Sequence, residues 1–584
     1  MVNGLDVPVQ VTIAGKPPFQ LDAGARKSFS LREGRHAVSA TTLDQKGRET
    51  DTVDVPRSGA AVYSVAGAAP LYVLTAFYSA TPAAGRSHTE VLCGVRTFQR
   101  NVSYYFAEPP ERITMDGNSA VKSSLLQDEG GWKSCHAMLA AEGKDRAAAE
   151  MMPAIRAMQP SDDTFYFEAL GRWVLGEDEA ALAVVRAGAK QLGGRDVHRT
   201  YAAFATVMGK QQELLREYQS AQWELPQFER RYLAARLLPA AESVKELQAM
   251  ARERPEDTDV RLSLAASLLR ASRFADATAA LGPLGDGGSL EVDDRRRLLL
   301  RQVWALASQG RSEEAIEAIR AAIPRLGAWD GDFINTWGLL AVKMRRPDLE
   351  PDDKAIVGDA KGGRAEWRQV TYDGLVHPER LDGARIDGLK VTRSVAQLLV
   401  KAGKDPIAAV SWVRRMSSYE VRLIPDSQAL VLWAEACRVG NQSAEEGLRH
   451  ALLTEVVDFG ALCAYVKEGR PTMEMSEVWE GREAVHLARS RALRARGDSA
   501  AAAAEEALVR KYDLYSGPAT RALESWPSTA PGAASTAAGD VRLASTQESA
   551  PARRSPGTPI PPPPPPPKEH RLVRVEGLRL EPAP

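Results

Sequence analysis

Net charge is what this chain most lacks. Lys and Arg number 75 against 76 Asp and Glu, a formal net charge of -1. The basic excess that holds a nucleic acid is missing, so no nucleic-acid partner is expected. Cysteine is scarce too: Cys93, Cys135, Cys437 and Cys463 are the only four in 584 residues. So few and so scattered, they read as isolated reduced thiols in the core, not as a disulfide framework or a zinc site. Met1 is followed by no basic stretch and no apolar run of the export-signal kind. One segment alone, 58–85, is long and free of charged residues. It is rich in Ala, Gly and Ser and broken by Gly67 and Pro70, which suits two buried strands around a turn better than a membrane span.

What is present suits a folded chain. Hydrophobic residues make up 44% and charged residues 26%, ordinary values for a protein with a core. At 584 residues the chain exceeds one compact domain, so several domains or a solenoid is expected.

Residues 1–80 alternate as strands do. Val7, Val9, Val11 and Ile13 precede a Gly15-Lys16-Pro17-Pro18 turn. Phe29 and Leu31, then Ala37 to Ala40, Val53 and Val55, Val62 to Val65 and Leu71 to Tyr78 continue the pattern. A small antiparallel sandwich is expected over 1–80, with a connector over 81–131. This pattern is similar to small bacterial envelope-associated β domains that carry a Pro-Glu-Gly-Ala-type motif, although the motif itself is absent. His36 is expected to be an ordinary turn residue.

From Trp132 the periodicity changes to helical. Breaks fall at Gly143, Gly176, Gly209, Leu238-Pro239, Ser272 and Gly310, spaced by 33, 33, 29, 34 and 38 residues. The stretch Gln302–Pro324 is the clearest example. A helical run ends at Gly310, and a second run places Ala315, Ile316, Ile319, Ala322 and Ile323 on one face, with Ser312 as its expected cap. Ala148, Ala180, Ala277 and Ala315 follow the breaks, where small side chains let paired helices approach. Pro160 and Pro255 end one hairpin before the next. Leu170-Gly171 and Leu264-Ala265 stand at a close-packed place in first helices. On these residues the chain resembles the tetratricopeptide-repeat family, of bacterial type, whose repeat is about 34 residues.

Helical repeats are therefore expected over 132–344 and again over 391–526. The later breaks are Gly403 with Ala408, Gly440 with Ala444, and Gly497-Asp498-Ser499 leading into Ala500 to Leu508. Between them, 345–390 reads as an irregular insertion, in which Val370-Thr371-Tyr372 and Arg385 to Val391 form a short hairpin. After Trp526 the composition turns to Pro, Ser, Thr, Ala and Gly, so 527–584 is expected to be a disordered tail. It holds seven consecutive prolines, Pro561 to Pro567, and the alternating segment Arg571–Leu580.

Chemistry is hard to find. Gly358 to Arg364 has glycines but no Gly-Lys-Ser/Thr, so it is no phosphate loop. Asp373, His377 and Asp382 have acid–base side chains with nothing to fix their geometry. Cys135-His136 are neighbours on one helix and point apart. Met473 and Met475 read as core filler. No catalytic, cofactor-binding or metal residues are expected, and no enzyme activity. The resemblance implies a scaffold without a cofactor that binds protein or peptide partners in a helical-repeat groove. A cytoplasmic location is expected; the alternative is a structural component of a cell-envelope assembly, its membrane association coming through a partner or an upstream segment. An enzyme working through 345–390 is the remaining reading. High Ala and Arg usage suits a bacterium with a GC-rich genome.

Overall fold

The computed structural model describes residues 1–525, apart from 58, 80–87, 111–112, 115–118, 221, 286, 289, 327–329, 361–362, 382–389, 453–457, 470–480 and 516. The expected tail, with Pro561 to Pro567 and Arg571–Leu580, lies outside the described residues, as do Asp382, Met473 and Met475.

Among the described residues ten strands come first: β1 (Val9–Ile13), β2 (Phe19–Leu21), β3 (Gly34–Thr42), β4 (Arg48–Val55), β5 (Ala60–Tyr63), β6 (Leu71–Ser79), β7 (His88–Val91), β8 (Thr97–Arg100), β9 (Tyr104–Tyr105) and β10 (Ser119–Gln127). One sheet runs β2-β1-β3-β4, a second β7-β6-β10-β9, and β5 pairs with β8. The pairings of these strands are antiparallel except that of β9 with β10. Alternation decides the faces: in β1, Val9, Val11 and Ile13 are buried while Gln10 and Thr12 are exposed. Within 58–85, Ala60–Tyr63 and Leu71–Ser79 form β5 and β6 around a turn at Val65–Gly67, and no helix among the described residues is long and apolar enough to cross a membrane.

The strands do not end near residue 80. β10 pairs with β6 along its whole length, from Ser119↔Ser79 to Gln127↔Leu71. The stretch expected as a connector therefore completes the second sheet. Its polar, glycine-broken sequence hid strands whose partners lie far away in the chain. His36 sits inside β3, where its Nε2 meets the Arg32 carbonyl at 2.7 Å.

The helices follow as hairpins. Their first and second members are α1 (Gly131–Ala141) and α2 (Asp145–Met158), α3 (Asp162–Val174) and α4 (Asp178–Leu192), α5 (Arg195–Val207) and α6 (Gln211–Gln219). Next come α7 (Gln227–Leu237) and α8 (Ala240–Glu253), α9 (Thr258–Arg270) and α10 (Phe274–Leu281), α11 (Val292–Ser308) and α12 (Ser312–Ala322), then α13 (Gly331–Lys343). The expected breaks fall between the two helices of each hairpin. Gly143, Gly176, Gly209 and Gly310 all have φ between 71° and 75°, and Ser272 has φ 58°. That left-handed turn costs glycine little, which is why glycine marks it in the sequence. Ser312 does not cap α12: it is the first helical residue, buried, and the cap position belongs to Arg311, whose side chain makes no capping bond.

Two further helices, α14 (Asp353–Val357) and α15 (Gly363–Val376), occupy the stretch expected to be irregular. Val370, Thr371 and Tyr372 are helical; Arg385 to Leu389 lie outside the described residues. The five glycines in 358–383 suggested a loop, but Val370, Tyr372, Leu375 and Val376 are buried on α15 and supply its packing face. The remaining helices are α16 (Lys390–Lys404), α17 (Pro406–Val413), α18 (Ser418–Arg422), α19 (Asp426–Val439), α20 (Gln442–Ala451) and α21 (Phe459–Glu468). Beyond them are α22 (Arg482–Ala495), α23 (Ser499–Tyr512) and α24 (Pro518–Ser525). Gly403 lies within α16; the break comes two residues later, where Asp405 caps α17 at Pro406.

The strands and the first hairpin share one core, in which Val9, Val11, Ile13 and Val38 meet Trp132, Met152 and Ile155. The junction is fixed by polar contacts as well. The Trp132 indole N–H donates to Asp6 Oδ2 at 2.9 Å, and the Asp6 amide donates to Gln159 Oε1 at 2.9 Å. Gly47 is required there by proximity, since a Cβ on it would stand 2.1 Å from the Met158 carbonyl oxygen.

All four cysteines are paired. Cys93, in the β7–β8 turn, and Cys135, on α1, form one disulfide with Cα atoms 5.3 Å apart; Cys437 on α19 and Cys463 on α21 form the other at 5.6 Å. This corrects the reading as isolated thiols. Separations of 42 and 26 residues gave no sign of proximity, and the fold supplied it.

Candidate functional site

First helices of consecutive hairpins pack on one another, α3 on α5, α5 on α7, α7 on α9 and α9 on α11; among the described residues the second helices do so less. The array therefore curves with its first helices inside. In an open solenoid that inner side is a binding groove. Here the chain's own later helices lie along it and along the intra-hairpin turns.

The order of these contacts is regular. At the first turn, Asp145 takes a hydrogen bond from the Ser418 hydroxyl and an ion pair from Arg422 Nη2 at 3.5 Å, so α18 sits there. At the second, Asp178 meets Arg449 at 3.0 Å and His450 at 3.3 Å, both on α20. At the third, a Cβ on Gly209 would lie 3.3 Å from the carboxylate of Asp458, which caps α21. Further along, Arg482 on α22 donates to the Arg270 carbonyl at 3.3 Å. Tyr515 packs on Trp304 at 6.2 Å between ring centres, and Lys343 donates to the Leu514 carbonyl at 2.5 Å. Trp173, Phe204 and Tyr232 of the array share one core with Trp433 and Phe459 of the later helices. The groove expected from the sequence is thus occupied from within, and its filling was not legible because each half of the sequence is an equally good helical repeat.

A small cavity of about 180 Å³ opens at the seam between α3 and the helices α17, α18 and α20. Its apolar wall includes Val174, Val413, Met416 and Val421, and its polar groups are Arg414, Arg422, His450, Ser418 and Ser443. Among the described residues no carboxylate lines it. Arg414 is exposed, and its side chain has no partner among the described residues. Burial pulls the Arg422 guanidinium below its ordinary pKa, an effect larger than the opposing pull of Asp145. His450 is likewise held low, first by burial and then by the neighbouring Arg449 cation, and so stays neutral. Arg449 stacks 4.7 Å over the Trp173 ring, and the His450 ring meets Trp173 edge-on at 5.1 Å. The cavity thus combines an apolar wall with two guanidinium groups, which suits an anionic group carried on a small apolar stem.

The acid–base residues of the sequence are not assembled. Asp373 accepts from Gln369 at 3.1 Å and pairs with Arg380 at 3.4 Å, whereas His377 lies between Glu350 at 2.8 Å and Glu379 at 3.2 Å. Each has its own structural partners. Gly358, in the glycine stretch, ends α14 with φ 57°. His136 is buried and edge-on to Phe167 at 5.2 Å, its pKa lowered by burial to about 3. Sequence reasoning missed the cavity entirely, since its residues come from several helices brought together only by the fold.

No family model matches the chain, and no curated protein does. Among solved structures it is similar to a tetratricopeptide repeat protein from Parabacteroides merdae ATCC 43184, at 12% identity over 46% of this chain and 94% of that one, with a TM-score of 0.26. It is also similar to Naa15/Naa10 bound to HypK-THB, at 14% identity over 65% of this chain, with a TM-score of 0.16; there it spans 63% of the other chain's length.

Proposed function

We propose that this chain is a non-enzymatic adaptor that binds protein partners on the outside of a self-filled helical-repeat array. The curved array of hairpins supports this reading most directly, because such an array presents a long ordered surface built by repetition. With the inner side taken by α18–α24, partners engage the seam, the second-helix face or the strand region. The seam cavity is the best anchor point, since Arg414 there is an exposed cation beside apolar side chains. The test is affinity capture from host lysate with the intact chain and with Arg414→Glu. Loss of a defined partner set on charge reversal is the expected result; a bait that retains no protein in either form overturns the adaptor reading.

A structural role in a cell-envelope assembly is the second reading. It is favoured by the junction of Asp6, Trp132 and Gln159, which fixes the strand region on the first hairpin as a docking head, not a loosely tethered module. Fractionation that finds the native protein entirely in free cytosol would remove it.

A further inference from the structure

We infer that the chain matures in an oxidising compartment, where Cys93–Cys135 and Cys437–Cys463 close as structural disulfides. The inference goes beyond the adaptor reading and does not depend on it.

Four cysteines scattered over 584 residues have come together as two pairs, with none left over among the described residues. Their Cα separations, 5.3 and 5.6 Å, lie within the span a disulfide bridges without backbone movement. All four are buried, at 5%, 0%, 1% and 8% exposure, so each pair is closed off from adventitious partners once the fold is complete. Two reduced thiols packed together in a core are tolerable; two separate pairs that use every cysteine are what a chain selected for disulfides displays.

Metal binding is the main competing chemistry, and the two pairs separate it. Around Cys437 and Cys463 the carboxylate of Glu445 comes close enough to act as a third ligand. Around Cys93 and Cys135 no third His, Cys, Asp or Glu does so among the described residues. A metal explains one pair at most, whereas oxidation explains both. Glutathione and thioredoxin keep cytosolic thiols reduced, so stable pairs of this kind imply export to an oxidising compartment such as a bacterial periplasm.

The chemistry balances with a dithiol–disulfide oxidant of that compartment. One cysteine thiolate attacks the oxidant's disulfide, forming a mixed disulfide and releasing the oxidant's first thiolate. The second cysteine of the pair, as its thiolate, attacks the cysteine sulfur of that mixed disulfide and expels the oxidant's second thiolate. Two protons and two electrons leave the pair, and the oxidant is reduced to a dithiol. The products act at two seams. Cys93–Cys135 locks the strand region to α1 at the junction already held by Asp6 and Trp132. Cys437–Cys463 locks α19 to α21 within the layer that fills the array.

The test uses the full chain in its own host. Cells are quenched in acid to freeze thiol exchange, and free thiols are blocked with iodoacetamide under denaturing conditions. The sample is then reduced and labelled with a heavier alkylating reagent before peptide mass spectrometry. The expected result is the heavy label on all four cysteines, with cross-linked peptides joining Cys93 to Cys135 and Cys437 to Cys463 before reduction. Light label on all four overturns the inference; light label on Cys437 and Cys463 alone, with zinc in the native mass, overturns the second disulfide in favour of a metal site. Spheroplast fractionation supplies an independent arm: release with periplasmic markers is expected, and recovery with cytosolic enzymes overturns the compartment. Neither result depends on whether a partner is captured.

Discussion

Asp145 and Asp178 stand at the same place in consecutive hairpins, each the first residue of a second helix, and each holds a cation from the later helices: Arg422 and Arg449. The position is favourable twice over, since a carboxylate at a helix N-terminus also faces the positive end of the helix dipole. The array thus uses its own repeat to place a row of acceptors for the layer that covers it.

Replacing Asp178 with Asn should therefore loosen α20 against α3 without unfolding the array. The pair is part-buried, its side chains 26% and 19% exposed. A loss of about 1–2 kcal/mol is expected, between the values for surface and buried pairs. The check is the urea midpoint together with hydrogen exchange. Faster exchange in α18–α20 and an unchanged α7–α10 is the expected pattern; uniform acceleration throughout would contradict it.

Acid should destabilise the chain through its buried histidines. Burial lowers His198 to about 4 and His136 to about 3, from an ordinary value of 6.5. Both remain neutral in the folded state while the unfolded chain takes up their protons below pH 6.5. The unfolded state then binds more protons, so stability rises with pH and is lost on acidification, from 6.5 down through about 4 and then about 3. Urea midpoints measured from pH 7 to pH 4.5 should fall, and His136→Gln should flatten the slope by about one proton.

Asp332 works in the opposite direction. Its carboxyl is pushed up to about 6, by the surrounding protein first and then by Asp426 and Asp330. By area both Asp332 and Asp426 are nonetheless exposed, so solvent screens the effect. A raised carboxyl contributes stability at low pH and loses it as pH climbs through about 6. Asp332→Asn should accordingly raise Tm at pH 8 and leave it nearly unchanged at pH 4. Equal shifts at both pH values would show that the carboxylate repulsion is screened out.

The hairpins were legible because their punctuation is local. Gly143, Gly176, Gly209 and Gly310 each need a positive φ, and a residue that needs one announces itself in the sequence. The strands β7 and β10 and the helix at Gly363–Val376 were not legible, because their faces are completed by β6 and by Ile334, Leu339 and Ile356 in the folded chain. The cysteine pairing, the filled inner side and the seam cavity were invisible for the same reason. Each brings together residues tens to hundreds of positions apart, and periodicity carries no information at that range. Arg414 and Arg422 look like ordinary helical surface cations until α3 and α20 are packed beside them.

Close helix packing gives the sharpest mutational test of the array. A Cβ on Gly171 of α3 would stand 2.9 Å from the Ala149 Cβ and 3.0 Å from its Cα, on α2. The second contact is with backbone, so a rotamer change cannot relieve it and the helices must separate. Gly171→Ala should cost about 1–3 kcal/mol, the range for overpacking a filled core, even though alanine is the better helix former. Ala149→Gly removes only the side-chain half of the clash. Combined with Gly171→Ala it should recover part of the loss, giving a coupling of about 0.5–1 kcal/mol in a double-mutant cycle. Strict additivity of the two changes would mean that α2 and α3 do not meet at this point, and the hairpin stacking described for the start of the array would have to be redrawn.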